Sequence, residues 1–585
     1  SKKTCQRTSE IEFFLTPKRC GLMTNSILYA VYFSWVLLVV GAPTLGPFFA
    51  FAPSHTLFSA FFGVTTLILG LFFGMGLPFM LIPFFIVEFV VFLMSKRGGW
   101  FEGYERCMTY LFRSSMIPFA AVIVSAGYEL ELMALPFAVA GIWEGIYVIF
   151  QKLVDVGKIK AEMKYNIKVG RYVGTIGNPN HVSEYLLVSL VILVFVAQKW
   201  PVIFLGVPFI FLGLVFTAGR ATIVSLASGG LLLSFFYPVS LFVMAPLVGF
   251  FAWWMRKRKF IDENRLLFWK EILKIKKCHP FKIEGMGVQI YTEKMEKLKR
   301  HHVFNSLDRS HNWFIDIFVE GGVWYLIPFV SASIAGLIFL PPILKCALLI
   351  LLVSQFFSFP FQANYMTWIF LVSVGSLVYI PYLWVLGILL IPGLILGIRA
   401  ILAGRQLTKK TESLLDVVYN VRRAMELDKR ATCCLTSRIL KNNSGILKKA
   451  AIPELDKLLD IPAGVAHGEL MANLAETYMI VGEVEKAKQA IEKGLPTAPG
   501  NVPLRRFAGL IDGRKEHYYA VLLEITKDFL ASGHKKEAIE SQFWLDLVLN
   551  SPDLEHRKTH EKQYLDRFGK SIDELLKNVK VANTK

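Results

Sequence analysis

The chain has 585 residues, of which 54% are hydrophobic and 19% charged, with a mean hydropathy of +0.48; this excludes an ordinary water-soluble enzyme of its length. The net charge of +19 does not by itself point to nucleic acid, because basic residues also set membrane topology and bind phosphate head groups, and no basic nucleic-acid motif accompanies it. The seven cysteines, at positions 5, 20, 107, 278, 346, 433 and 434, have neither zinc-site nor paired-framework spacing, so neither metal nor disulfides are inferred.

The segment 1–24 is polar and basic (Lys2, Lys3, Arg7, Lys18, Arg19) and is expected to be a cytoplasmic end leading into a span. Apolar runs long enough for a membrane helix, roughly 20 residues each, then follow at about 25–42, 57–75, 77–95, 107–125, 131–151, 182–198, 201–217, 221–237, 239–255, 323–341, 343–361, 363–380 and 382–403. They lack the inside/outside alternation of barrel strands, so helices must satisfy the backbone. The expected fold class is all-α: a polytopic helical membrane domain of about 12–13 spans over 25–403, followed at 404–585 by a soluble helical domain.

With nine spans before it, the polar loop 256–322 falls on the extracytoplasmic side, as do 152–181 and the joint around Arg220. The cationic start of that loop, Arg256 to Lys259, runs against the positive-inside tendency. Long loops obey that tendency poorly, and a cationic loop suits a diphosphate ligand.

Four constellations carry candidate chemistry. Arg171 precedes Gly174-Thr175-Ile176-Gly177-Asn178-Pro179-Asn180. The Gly and Asn-Pro-Asn residues force a turn, and Asn180 or Ser183 at the helix start reads equally well as a cap. Arg171 offers a planar fork to phosphate oxygens. Thr217-Ala218-Gly219-Arg220 places a guanidinium between two apolar runs, where snorkelling is the bland alternative. Arg265 and Trp269 stand one turn apart on a predicted helix. In the last constellation His311, beside Asn312, precedes an apolar stretch ending in Glu320-Gly321-Gly322. An imidazole there can take a proton from a hydroxyl nucleophile, although a lone His beside an apolar helix is more commonly a structural hydrogen bonder.

In the C-terminal region Leu474, Ala475, Tyr478, Gly482, Ala487 and Pro499 fit a tetratricopeptide helix hairpin. A weaker echo at Ile525, Phe529, Gly533 and Ala538 follows 51 residues later, off a single repeat length. Counting four spans after the big loop puts this domain outside, whereas a re-entrant segment among the last two would put it in the cytoplasm.

Taken in order, Arg-to-Gly-Thr-Ile-Gly-Asn-Pro-Asn, Thr-Ala-Gly-Arg-Ala, Arg-x3-Trp, Pro-x4-Gly-x-Gly at 280–287 and His-Asn-x9-Gly resemble the O-antigen ligase and polymerase superfamily over residues 165–380. Two departures stand out: Gly322-Val323-Trp324-Tyr325 replaces Gly-x-x-Gly, and Thr-Ala-Gly-Arg replaces Thr-Gly-Ser-Arg. The resemblance implies a bacterial inner-membrane glycosyltransferase of C-type architecture. It would take glycan from undecaprenyl diphosphate to an acceptor hydroxyl on the extracytoplasmic face, with no metal and no cofactor. Arg171, Arg220 and Arg265 would bind the diphosphate, and His311 would activate the acceptor. Asn180 would support the site, and Asn312 or Glu320 would orient the imidazole or hold the helix entrance. The acceptor stays open between a growing glycan, a lipid and a protein side chain, and the C-terminal domain would offer a surface to an envelope-assembly protein. A transporter using Glu88, Arg113 and Glu144 as a charged pathway is the alternative from another class.

Overall fold

The computed structural model describes residues 22–41, 53–97, 103–158, 172–176, 178–217, 219–255, 263–286, 310–358, 362–407, 409, 416–427, 437, 439–440, 452–460, 467–496, 504, 507–508 and 511. Among them 84% are helical and 2% are in strands. In chain order the elements are α1 (Leu22–Gly41), α2 (Pro53–Phe73), β1 (Gly76–Pro78), α3 (Ile82–Arg97), α4 (Gly103–Ser125), α5 (Leu130–Asp155), α6 (Pro179–Ala197), α7 (Val207–Thr217), α8 (Arg220–Phe236) and α9 (Leu241–Met255). Then come α10 (Glu263–Cys278), α11 (Trp313–Gly321), α12 (Val323–Phe339), α13 (Pro342–Gln355), α14 (Gln362–Val374), β2 (Tyr379–Pro381), α15 (Leu390–Leu407), α16 (Ile452–Leu459), α17 (His467–Val481) and α18 (Val484–Gly494). Short 3-10 turns lead into α3, α7, α9 and α15.

The helices follow the apolar runs. Among the described residues, three are long and apolar enough to cross a membrane: Thr56–Phe73 within α2, α5 and α6. The run 201–217 begins as a 3-10 turn over Pro201–Gly206, and Gly322, at φ 64° and ψ −156°, separates α11 from α12. Besides α11, which lies inside the expected loop 256–322, a strand pair has no counterpart among the expected helices: β1 and β2 pair antiparallel with Leu77 opposite Ile380. The pair takes the start of the expected span 77–95 and the end of 363–380.

The residues group into two compact units. The first contains Ser1–Val90, Met108–Phe260 and His311–Leu394. Its core shows why small residues recur in α5. A Cβ on Gly141 would lie 2.3 Å from Ser189 Cβ of α6, and one on Gly145 would lie 2.6 Å from the Phe209 carbonyl of α7. This Gly-x3-Gly face lets three helices approach closely, as small residues do where lipid supplies no hydrophobic drive between helices.

The second unit contains Val91–Cys107, Ile261–Ser310 and Ile395–Lys585. The boundary expected at 403/404 falls inside α15, which continues to Leu407. In this unit α17 and α18 form a hairpin through Gly482 at φ 86°. Leu474, Ala475, Tyr478 and Ala487 are all buried in it, as the helical spacing of the sequence requires. Pro499 and the echo at 525–538 lie outside the described residues.

Candidate functional site

The turn ahead of α6 is held from below by α5. Glu144 and Gln151, two turns apart on the buried face of α5, reach residues 172–176, all of which are buried. The Thr175 amide donates to Glu144 Oε1 at 2.9 Å and to Oε2 at 3.2 Å, the Ile176 amide donates to Oε1 at 3.5 Å, and the Thr175 hydroxyl also touches the carboxylate. Gln151 closes a two-way clamp on Gly174, accepting from its amide at 2.9 Å and donating to its carbonyl at 3.3 Å. Tyr172 donates to Asp155. Burial, and then that bond, push its phenol above the ordinary tyrosine value, against the opposing pull of Lys152. The turn passes into α6 through Asn178, whose side chain accepts from the Asn180 amide at 2.9 Å, with Pro179 as the first helical residue. That is standard N-terminal chemistry. Asn180, half-buried, contributes its backbone to the cap, and its carbonyl accepts from Ser183 Oγ at 2.7 Å.

The second motif arrives at the same place. Gly219 caps α8, and a Cβ there would lie 1.8 Å from Ser183 Oγ and 2.7 Å from Thr222 Oγ1. The start of α8, whose first residue is Arg220, therefore lies directly against the start of α6.

The fourth motif is a short, separately braced helix. Asn312 caps α11 by accepting from the Ile315 amide at 3.1 Å. His311, half-buried, stands just before the cap at φ 54°, a left-handed conformation uncommon outside glycine and costing about 1–3 kcal/mol. Trp313 packs on Tyr365, Phe329 and Trp368 with ring centres 5.9, 4.4 and 5.4 Å away, and Phe314 lies 6.0 Å from Phe356. Residues 355 and 364, the chain neighbours of Phe356 and Tyr365, meet α6: Gln355 and Asn364 both donate to Glu184. Three of the four motifs, 172–184, 217–222 and 311–316, thus share one end of the first unit although up to 144 residues of sequence separate them (316 against 172).

Glu320 lies at the far end of α11. Its carboxylate accepts from Arg113 Nη1 at 3.0 Å. Arg113 also donates to Tyr325 at 3.1 Å, approaches Glu88 to 3.6 Å and lies over the Tyr365 ring. Tyr325 and Tyr365 donate to Glu88 at 2.8 and 2.9 Å. This buried network braces α3, α4, α11, α12 and α14. Of the three charges that the transporter alternative invokes, Glu88 and Arg113 have their hydrogen-bonding partners in this network and Glu144 has its partners at the 172–176 turn.

Arg171 lies outside the described residues, and so do the side chains of Arg220 and Arg265; the backbones of the latter two open α8 and lie in α10. Arg265 belongs to the second unit, in which Trp269 Nε1 donates to the Ser310 carbonyl at 2.5 Å. His181, Glu184, Gln355 and Asn364 are the polar residues that sequence reading passes over. His181 and Glu184 are one turn apart at the head of an apolar run, a readable signal, whereas Gln355 and Asn364 carry none. Among the described residues no three or more His, Cys, Asp or Glu side chains gather as metal ligands. In comparisons with known proteins, no family model and no curated protein matches the chain.

Proposed function

We propose that the chain is a polytopic membrane glycosyltransferase that passes glycan from a polyprenyl diphosphate to an acceptor hydroxyl at the extracytoplasmic face. The observation that supports this most is the meeting of the 172–184, 217–222 and 311–316 motifs at one end of the first unit. Helices α6, α8 and α11 all begin there. A helix start carries roughly +0.5 of an elementary charge and free amides, so three of them favour a phosphate-bearing ligand before any arginine is counted. Arg220, as the first residue of α8, and Arg171, just ahead of the clamped turn, add guanidinium forks to the leaving diphosphate. The motif resemblance assigns Arg265 to the same ligand.

In this reading the His311 imidazole accepts the proton of the acceptor hydroxyl. The freed oxygen attacks the anomeric carbon as its bond to the diphosphate oxygen breaks, and the diphosphate leaves with the electron pair, inverting the centre. The left-handed backbone at His311 fits a preorganised role, since such strain concentrates at functional sites. Asn312 supports the imidazole indirectly, by fixing the start of α11, and Glu320 does so by tethering its end to Arg113. The fixed partners of Glu88, Arg113 and Glu144 account for those charges without a transport pathway. We read α17–α18 as a tetratricopeptide-like hairpin, which favours a growing glycan chain over a minimal ligase acceptor.

The test is transfer from a synthetic undecaprenyl-diphosphate oligosaccharide in nanodiscs, with EDTA present, comparing wild type with His311→Ala. Metal-independent transfer that is lost in the variant supports the proposal, and product length separates polymerase from ligase. Full transfer by the variant removes His311 from the mechanism. Movement of substrate across the bilayer without any transfer favours the transporter.

A further inference from the structure

Glu184 on the second turn of α6, Gln355 at the end of α13 and Asn364 in the first turn of α14 are 1%, 0% and 1% exposed. Both amides donate to the same atom, Glu184 Oε2, Gln355 Nε2 at 3.0 Å and Asn364 Nδ2 at 3.3 Å. Their orientations are thereby fixed, because flipping either would set a carbonyl oxygen against a carboxylate. The consequence is an excess of acceptors. Glu184 Oε1, Gln355 Oε1 and Asn364 Oδ1 are buried and receive no hydrogen bond from the protein. Each is bonded to the same carbon as an atom of the shared contact, so all three unmet acceptors belong to side chains joined at Glu184 Oε2. His181 approaches the already engaged oxygen, with Nδ1 3.6 Å from Oε2 and 3.1 Å from Ser358 Oγ.

We propose that Glu184, Gln355 and Asn364 bind one monovalent alkali cation, for which sodium is the probe. Buried acceptors without donors are costly, and a buried carboxylate needs a compensating charge. A cation meets both needs at the three unmet oxygens, whereas a neutral donor meets only the first and His181 reaches only the oxygen already engaged. Hard oxygen ligands select alkali or alkaline-earth ions over softer metals. With one carboxylate in the set, a monovalent ion leaves the site neutral and a divalent ion leaves a net positive charge in a helical core. The near-complete burial excludes anything as large as a sugar. The ion ties α6, α13 and α14 together beside the start of α11, and the inference stands independently of the transferase reading.

Full-length protein in nanodiscs is titrated with 22Na+ at constant ionic strength, with N-methyl-D-glucamine as the replacement cation. Saturable binding of one ion per chain is expected, with a rise in melting temperature that saturates over the same range. Glu184→Gln is expected to weaken binding at least tenfold. Asn364→Leu, which removes a ligand without touching the carboxylate, should also weaken it, and it serves as the test if Glu184→Gln does not fold. Absence of saturable binding to wild type, a preference for Ca2+ over Na+, or unchanged affinity in the folded variants overturns the proposal. The first of these outcomes assigns the three oxygens to water.

Discussion

Replacing Gly174 by alanine tests the clamp beneath the candidate site. The residue adopts φ +58°, and a Cβ there would lie 1.8 Å from Glu144 Oε1 and 2.8 Å from its carboxyl carbon. The left-handed backbone alone costs an alanine about 1–2 kcal/mol. The carboxylate must also move, which releases the Thr175 amide and leaves at least two buried polar groups unpaired, at about 1–3 kcal/mol each. The expected total is about 3–8 kcal/mol, the sum of those contributions. Gly127 provides the control, with φ +62° and nothing within 4 Å of the place an added methyl would take; Gly127→Ala should show the backbone cost alone. The assay is unfolding in detergent followed by tryptophan fluorescence, with Glu144→Ala added to close a double-mutant cycle. Gly174→Ala should be the more damaging by at least about 2 kcal/mol, and much of that excess should vanish once Glu144 is gone. Equal melting of Gly174→Ala and Gly127→Ala would refute the clamp.

Arg113→Ala should destabilise the first unit by about 3–5 kcal/mol, because it leaves the Glu88 and Glu320 carboxylates buried without their cation. Arg113→Lys should restore only part of this, since one ammonium cannot reproduce the planar fork; full recovery in thermal unfolding would contradict the geometry. Gly322→Ala, at a φ and ψ that only glycine adopts readily, should cost about 1–3 kcal/mol and shift the emission of Trp313 as α11 is displaced; an unchanged spectrum and melting point would argue against a fixed hinge. In the second unit, burial and the hydrogen bond to Asp456 raise the Tyr478 phenol above its ordinary value. A raised value stabilises the fold fully below about pH 10, the ordinary phenol pKa, and that stability is lost as pH climbs through the folded value. Wild type should therefore lose more stability than Tyr478→Phe in alkaline melts, and parallel profiles would show that the phenol ionises freely.

The helices were legible because membrane length and apolar content are properties of each segment alone. Their interruptions were not, because they answer to distant partners. The strand Gly76–Pro78 needs Tyr379–Pro381 to exist at all, and three residues carry no periodicity to read. The break at Gly322 is marked by a glycine pair in the sequence, yet nothing local says that Trp313–Gly321 is a separate helix whose first ring packs against Phe329 across the break. The same division holds at the site. The turn chemistry of Gly174, Asn178 and Pro179 is written in those residues, whereas the partner of Glu320 is Arg113, 207 residues away.

The polar residues of the first unit then fall into two kinds. Glu144, Gln151, Arg113, Glu88 and Glu320 engage fixed partners and hold backbone or one another. Around the starts of α6, α8 and α14, by contrast, Glu184 Oε1, Gln355 Oε1, Asn364 Oδ1 and Thr222 Oγ1 are buried without a hydrogen bond from the protein. These four atoms lie near the 172–184, 217–222 and 311–316 motifs, at the end of the unit where the proposed ligands would bind.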